Sequence, residues 1–255
     1  MKILLTNDDG FFAPGIVAIA KALAQDKQNS VIIFAPDKER SGFSQSISIT
    51  KALNVKEEYV EGLEDVTCYS VTGTPADCVR LAAGRLYDGM PDILISGINR
   101  GCNVGSDANY SGTVGAAREG AMCGIPSIAL SAAVGEANDY SVAVEYGLKA
   151  FEYMKNTKLP PLTVLSVNVP LMPKGGIKGI KVTPLAMLNY NNYYREAGDS
   201  SSEGYLMPDD YKHELEDGDH DEYWLKNGYV TITPINCDMT DTALLKSIKT
   251  EEYFK

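Results

Sequence analysis

The stretch "KILLTNDDGFFAPGIVAIAKALAQ", residues 2–25, passes from an apolar run through an acidic turn into an apolar-periodic segment. Residues 2–6 are nearly all apolar and alternate poorly, the pattern of a strand buried on both faces. Pro14 and Gly15 precede "IVAIAKALAQ", in which Ile16, Ile19, Ala20 and Leu23 fall on one helical stripe. A strand covered on both faces and followed by a helix is the opening unit of a parallel α/β sheet. Between strand and helix, Asp8 and Asp9 stand side by side before Gly10. At about 4 Å and an effective dielectric of about 20, two such charges repel by roughly 4 kcal/mol. Something has to offset that repulsion where a buried strand ends.

Working outward, the same alternation continues. "SVIIFAP" reads as the next buried strand and "DKERSGFSQS" as a polar loop after it, while residues 44–72 read as extended, alternating segments of the hairpin kind. "TGTPADCVRLAAGRLY" opens a helix, with Thr74 as cap, Pro75 in the first turn and Asp77 closing a T-x-x-D box. "PDILISGIN" is a strand, "GCNVGSDANYSG" a long polar loop, and "TVGAAREGAMCG" a helix ending on Gly124. "IPSIALS", "SVAVEYGLKAFEYM" and "LTVLSVNVP" follow as strand, amphipathic helix and strand. Buried runs alternating with helices predict a mostly parallel sheet flanked by helices, with a core over about residues 1–183.

Residues 184–228 are rich in Tyr, Asn, Asp, Gly and Ser without a sustained period, and read as a hairpin-like or loop excursion. "GYVTITPI" then returns as a strand and "TDTALLKSI" closes as a helix, within a final segment 229–255. The whole chain reads as one domain. Tyr190, Tyr193, Tyr194, Tyr205, Tyr211 and Tyr223 of the excursion suit a subunit contact or a tolerated surface insertion equally well.

Composition narrows the class. The 255 residues are 44% hydrophobic, enough for one large core. Met1-Lys2 runs straight into "ILLTNDDG" without a secretory h-region, and no run approaches a membrane span of roughly 20 apolar residues. Cys68, Cys78, Cys102, Cys123 and Cys237 include no C-x-x-C pair, so they read as reduced thiols of a cytoplasmic protein rather than zinc ligands. The net charge of −11 argues against a nucleic-acid partner, which would need clustered Lys and Arg. Much of the acidity sits in "DDYKHELEDGDHDE", residues 209–222, together with both histidines, His213 and His220. These histidines lie far in sequence from the strand-end loops and read as solvated or locally paired.

The loops that attract attention all follow strands, and in an open parallel sheet ligands bind beyond the carboxyl ends of the strands. At a strand end turning through Gly10, Asp8 and Asp9 could approach one site, where a divalent cation would neutralise them. The alternative is that one aspartate caps a turn and the other is solvated. Ser41 and Asn99 are natural neutral partners, adding oxygen ligands that Mg²⁺ or Mn²⁺ accept. Ser111-Gly112-Thr113 opens a helix and reads either as a plain N-cap or as an anion site with free N–H groups. Gly73-Thr74 is a second such helix start. Arg40 and Arg100 flank the candidate ligands and could pair with a phosphate or be solvated. No G-x-G-x-x-G follows the first strand, and neither a P-loop nor a G-x-S-x-G elbow occurs.

"ILLTNDDGFFAPGI", "APDKERSGFSQSI", "VTGTPADCV", "PDILISGINRGCNVG", "YSGTVGAAREG" and "GYVTITPI", in this order from residue 3 to about 235, together resemble the stationary-phase survival protein SurE family. The resemblance implies a Rossmann-like α/β core, an extended hairpin region and a C-terminal segment used in assembly as a homodimer or homotetramer. It implies a 5'-nucleotidase acting on nucleoside monophosphates with one divalent cation, Mg²⁺ or Mn²⁺, per subunit. It assigns Asp8, Asp9, Ser41 and Asn99 as metal ligands, with Asp8 and Asp9 catalytic, and sets Asn103, Ser111, Gly112 and Thr113 near the phosphate. Phe12 stands where relatives often have histidine, so no acid–base role is assigned there. The reaction expected is attack by water, with an aspartyl-phosphate as the covalent alternative. A nucleotide-sugar transferase and a non-catalytic nucleotide-binding protein are the readings from other classes.

Overall fold

Ile3, Leu4 and Leu5 are wholly buried because helices cover both faces of the strand they form, β1 (Lys2–Thr6). The computed structural model describes residues 1–86, 89–173, 175–187, 194–196, 204–206 and 217–248. After β1 come α1 (Pro14–Ala24), β2 (Ser30–Pro36), β3 (Val55–Glu57), β4 (Thr67–Val71) and α2 (Pro75–Leu81). Then follow β5 (Ile93–Arg100), α3 (Gly112–Met122), β6 (Ser127–Ala132), α4 (Ser141–Asn156) and β7 (Thr163–Val169). The C-terminal third adds β8 (Ile180–Val182), β9 (Arg195–Glu196), β10 (Tyr205–Leu206), α5 (Asp221–Lys226), β11 (Val230–Asn236) and α6 (Thr242–Ser247).

Nine of these strands form one sheet in the order β3-β4-β2-β1-β5-β6-β7-β11-β8. All neighbours are parallel except β3 with β4 and β7 with β11, so the mostly parallel α/β sheet expected from the sequence is what forms. Alternation along β1 sorts the core. Ile3 and Leu5 pack with Ile16, Ile19 and Leu23 of α1 and Phe151 of α4 on one face. Leu4 packs with Ile32, Phe34, Cys78, Val79 and Leu94 on the other, under α2 and α3.

The chain leaves β1 toward β2 on one side and later returns to build β5, β6 and β7 on the other. The direction of winding therefore reverses between β1 and β5, which opens a crevice between the loops that follow them. The excursion is hairpin-like in its described part, as expected, with a helix that its composition did not announce. It contains the antiparallel pair β9–β10 and the helix α5, whose cap is His220 accepting the Tyr223 N–H at 3.2 Å. His213, Tyr190, Tyr193 and Tyr211 lie outside the described residues. Residues 44–54 carry no strand, and the hairpin expected in this region is confined to β3 and β4. The helix after Pro75 tightens its cap as expected but passes after Leu81 into a π-helical turn over Ala82–Leu86. Among the described residues no helix is long and apolar enough to cross a membrane.

Close approach of α1 to β5 demands a glycine. A Cβ on Gly15 would lie 2.0 Å from the carbonyl oxygen of Ile98, a backbone atom that cannot swing aside. Gly15→Ala is therefore expected to destabilise the protein by about 1–3 kcal/mol. In a chain of this size that lowers the melting temperature by roughly 2–4 °C per kcal/mol. Gly84→Ala, where a Cβ meets nothing within 4 Å, is the contrasting case. It should be neutral or stabilising by up to about 1 kcal/mol. Thermal unfolding of the two variants side by side checks both expectations.

Candidate active site

β1 ends at Thr6, and the next residues turn out of the sheet at the crevice. The turn is tied down locally: Asn7 Nδ2 donates to the Gly10 carbonyl at 2.8 Å, and the Ala13 N–H to the same oxygen at 3.1 Å. Asp8 is only 3% exposed. Its carboxylate accepts the Thr113 hydroxyl hydrogen, and its peptide oxygen accepts the Arg40 N–H at 2.7 Å. Gly112 makes this packing possible, because a Cβ there would lie 2.8 Å from both Cβ and Oδ2 of Asp8. The first turn of α3 thus sits directly against the buried carboxylate.

Burial pushes the Asp8 carboxyl up from 3.8 to about 6; the Thr113 hydroxyl opposes this and the charge of Asp9 adds to it. Asp9 is half-buried and also raised, first by burial and then by Glu39, while the Arg100 N–H donated to its Oδ2 at 2.9 Å pulls the other way. Among the described residues no Lys or Arg side chain forms an ion pair with either aspartate.

Asn99 arrives by an irregularity in β5, whose register against β6 shifts between Gly97 and Asn99. Its Nδ2 donates to the Gly101 carbonyl at 2.8 Å, which orients the amide and leaves Oδ1 as an acceptor. Ser41 sits in the loop after β2 and donates its hydroxyl hydrogen to Glu39 Oε1 at 2.9 Å. That loop is held at several points. Ser44, at φ 53°, donates to the Asn109 carbonyl at 2.6 Å, and its own carbonyl leaves no room for a side chain at Gly115 of α3. Gln45 Nε2 donates at 2.8 Å to the buried Glu119, which Arg80 bridges at 2.5 Å from α2.

Asp8, Ser41, Asn99, Asn103 and Ser111 line a common cleft of about 670 Å³. Gly112 and Thr113 touch Asp8 from behind, and Asp9 meets the Arg100 backbone beside it. Arg40, Gly73 and Thr74 are elsewhere. The Arg40 guanidinium donates to the Gly73 carbonyl at 3.1 Å and to Asp37 at 3.0 Å. Thr74 caps α2 in a reciprocal box with Asp77 and donates to the Ser46 carbonyl at 2.7 Å. These three residues fasten the Ser41 loop and do not line the cleft.

Cys102, Asp107, Tyr110 and Tyr194 complete the walls; nothing in the sequence places them at the cleft, and by sequence Tyr194 reads only as part of a subunit contact or surface insertion. Burial pushes the Cys102 thiol up to about 12, so it stays protonated and is closed as a nucleophile. Asn103 is pinned from below: its N–H donates to Asn168 Oδ1 and its Nδ2 to Ser131 Oγ, both at 2.8 Å. Asn168 and Ser131 lie inside apolar-looking strands, and only the packing reveals their use. Phe12 is 66% exposed and stacks edge-on against Phe11.

The donors around Asp8 are carboxylate, hydroxyl and amide oxygens, the hard set that suits a divalent cation such as Mg²⁺ or Mn²⁺. Asn7 Oδ1, one residue before Asp8 in the chain, is a further buried oxygen without a hydrogen-bond partner among the described residues. Two carboxylates with raised pKa values and no basic side chain paired to them fit a site completed by a cation.

Comparison with known proteins agrees with this fold. Residues 3–192 match the family model described as survival protein SurE. A protein of Clostridium beijerinckii named 5'-nucleotidase SurE is 43% identical over 252 residues, which cover 97% of this chain and 98% of that protein. One of the same name from Natranaerobius thermophilus is 39% identical over 258 residues, covering 99% of each chain. The crystal structure of the SurE protein from Aquifex aeolicus aligns with a TM-score of 0.82 at 36% identity, covering 99% of this chain and 100% of that one. With its switch-point cleft and a family match along most of its length, this chain belongs to the survival protein SurE family.

Proposed function

We propose that this chain is a divalent-metal-dependent 5'-nucleotidase, hydrolysing nucleoside 5'-monophosphates to nucleoside and phosphate. The observation that carries the reading is the buried carboxylate of Asp8 set against the opening turn of α3. A carboxylate and an anion-binding helix start can share a site when a cation stands between them. The name shared by the relatives, 5'-nucleotidase SurE, supports the substrate class.

In this reading Asp8, Asp9, Ser41 and Asn99 would hold one Mg²⁺ or Mn²⁺ per subunit. When bound, that cation supplies neutralising charge to the phosphate and lowers the pKa of coordinated water. The chain's own residues do the rest. Ser111 accepts the Val114 N–H with its oxygen, so its hydroxyl hydrogen is left to donate to the phosphate. The second Nδ2 hydrogen of Asn103 is available likewise. At the start of α3 the Gly112 N–H adds a donor at the positive end of the helix dipole, while Thr113, whose hydroxyl and N–H both go to the Asp8 carboxylate, holds that carboxylate beside the phosphate. One of the two aspartates takes the proton of the attacking water. That proton passes to the nucleoside 5'-oxygen as the P–O bond breaks. Arg40, Gly73 and Thr74 act through the loop that presents Ser41.

We place the enzyme in the cytoplasm as a homodimer or homotetramer. Its five cysteines are all free, and α6 buries none of its residues while Leu244, Leu245 and Ile248 are exposed.

Phosphate release from nucleoside monophosphates should depend on Mn²⁺ or Mg²⁺, vanish in EDTA, and fall at least about 100-fold in Asp8→Asn. A folded protein that releases no phosphate from any monophosphate with metal present overturns the reading. Metal should also show in stability. Without it, the raised Asp8 carboxyl binds its proton more tightly folded than unfolded. That contribution is complete below the unfolded value of 3.8 and is lost as pH rises through about 6. In EDTA the melting temperature should therefore fall from pH 5 to pH 7 more steeply for wild type than for Asp8→Asn. At pH 7, Mn²⁺ at about 100 times its dissociation constant should restore roughly 2.7 kcal/mol to wild type.

A further inference from the structure

Asp221 stands outside the proposed chemistry, yet at 0% exposure it is the most deeply buried acidic residue among those described. Its Oδ2 accepts the Gly105 N–H at 2.8 Å. Its Oδ1 accepts the Ala186 N–H at 2.8 Å and the Glu222 N–H at 2.9 Å. Three segments meet on this one side chain: the loop after β5, the strip after β8 and the first turn of α5. Burial raises its carboxyl, and the three N–H bonds and nearby His220 favour the charged form.

Gly105, held in the left-handed region at φ 55°, opens the 3-10 turn Gly105–Asn109, which leads through Tyr110 to Ser111 and α3. Two residues earlier, Asn103 is pinned to Asn168 on β7. The loop that lines the cleft is therefore nailed at two neighbouring points, one from the sheet and one from the excursion.

We propose that Asp221 is a positioning residue of the substrate cleft, its carboxylate fastening the Gly105 turn so that Asn103, Asp107 and Ser111 keep their places around the phosphate ester. This rests on the function proposed above. The site requires a carboxylate because all three partners are donors, on both of its oxygens. An amide has one oxygen, so it must either turn Nδ2 against the Gly105 N–H or turn it against those of Ala186 and Glu222. The acidic excursion thereby reaches the cleft through a structural tie, without contributing a group to the chemistry.

The test compares full-length wild type, Asp221→Asn, Asp221→Ser and a core variant far from the cleft, Phe151→Leu, chosen to lower the melting temperature comparably. In wild type the Gly105 amide should exchange its hydrogen as slowly as amides of the central strands. In Asp221→Asn, exchange over residues 104–110 should accelerate by at least about 10-fold. The KM for a nucleoside monophosphate and the inhibition constant of inorganic phosphate should each rise about 10-fold, while Mn²⁺ affinity changes less than about 3-fold. Asp221→Ser, which retains one acceptor, carries the same expectations should the asparagine variant fail to fold. Rapid exchange of Gly105 in wild type overturns the proposal. So does wild-type KM in a folded variant, or the same changes in Phe151→Leu. Absence of turnover by wild type itself counts against the nucleotidase reading alone, since the exchange measurement still decides the role of Asp221.

Discussion

A carboxylate buried at the end of a central strand has to be matched, and at Asp8 the match comes from the opening turn of α3. The Thr113 hydroxyl donates to it, and the missing side chain of Gly112 lets the helix come close enough to do so. Neither contact carries a positive unit charge, so burial still dominates and the carboxyl stays near 6. A proton or a cation at this carboxylate therefore stabilises the geometry. The placement of α3 follows from the same contact, and α3 in turn fixes the Ser41 loop through the close approach of Ser44 at Gly115.

Around that contact, the cleft is built from loops that would be mobile if left to themselves. Each is tied by a buried polar side chain on a regular element. Asp77 on α2 accepts the Ser48 N–H, Glu119 on α3 accepts from Gln45, and Asn168 on β7 takes the Asn103 N–H. Asp221 on α5 takes the Gly105 N–H. Hydrogen bonds to the three carboxylates are worth about 1.5–3 kcal/mol each and the one to the neutral Asn168 amide about 0.5–1.5, and leaving one unmade in the interior costs comparably. Sparse, fully used polar groups therefore convert irregular backbone into a preorganised wall, which is what electrostatic catalysis needs.

Much of this was legible in the chain. Buried runs such as residues 2–6 and "SVIIFAP" announced their strands because a strand covered by helices on both faces has no polar alternation to display. Asp8 and Asp9 announced a problem of charge, and the cleft that Asp8 shares with Ser41 and Asn99 was readable because all three lie at or beyond the carboxyl ends of parallel strands. The capping box at Thr74 was also readable, since it depends on residues three positions apart. Its tie to the Ser41 loop was not, because Ser46 and Ser48 are distant in sequence.

What the sequence by itself determined is the succession of elements and the chemistry stored in their loops, since both rest on local periodicity and on residue types. Only the tertiary structure decided which of those groups meet. It brought Asp8 to the first turn of α3, turned Arg40 away to Gly73 and Asp37, and assigned Asn168, Ser131 and Asp221 to hold the cleft. A polar residue inside an apolar strand or an acidic tract looks the same whether it is idle or essential. Its partner is a backbone N–H brought from far along the chain, and that meeting exists only once the sheet has been wound.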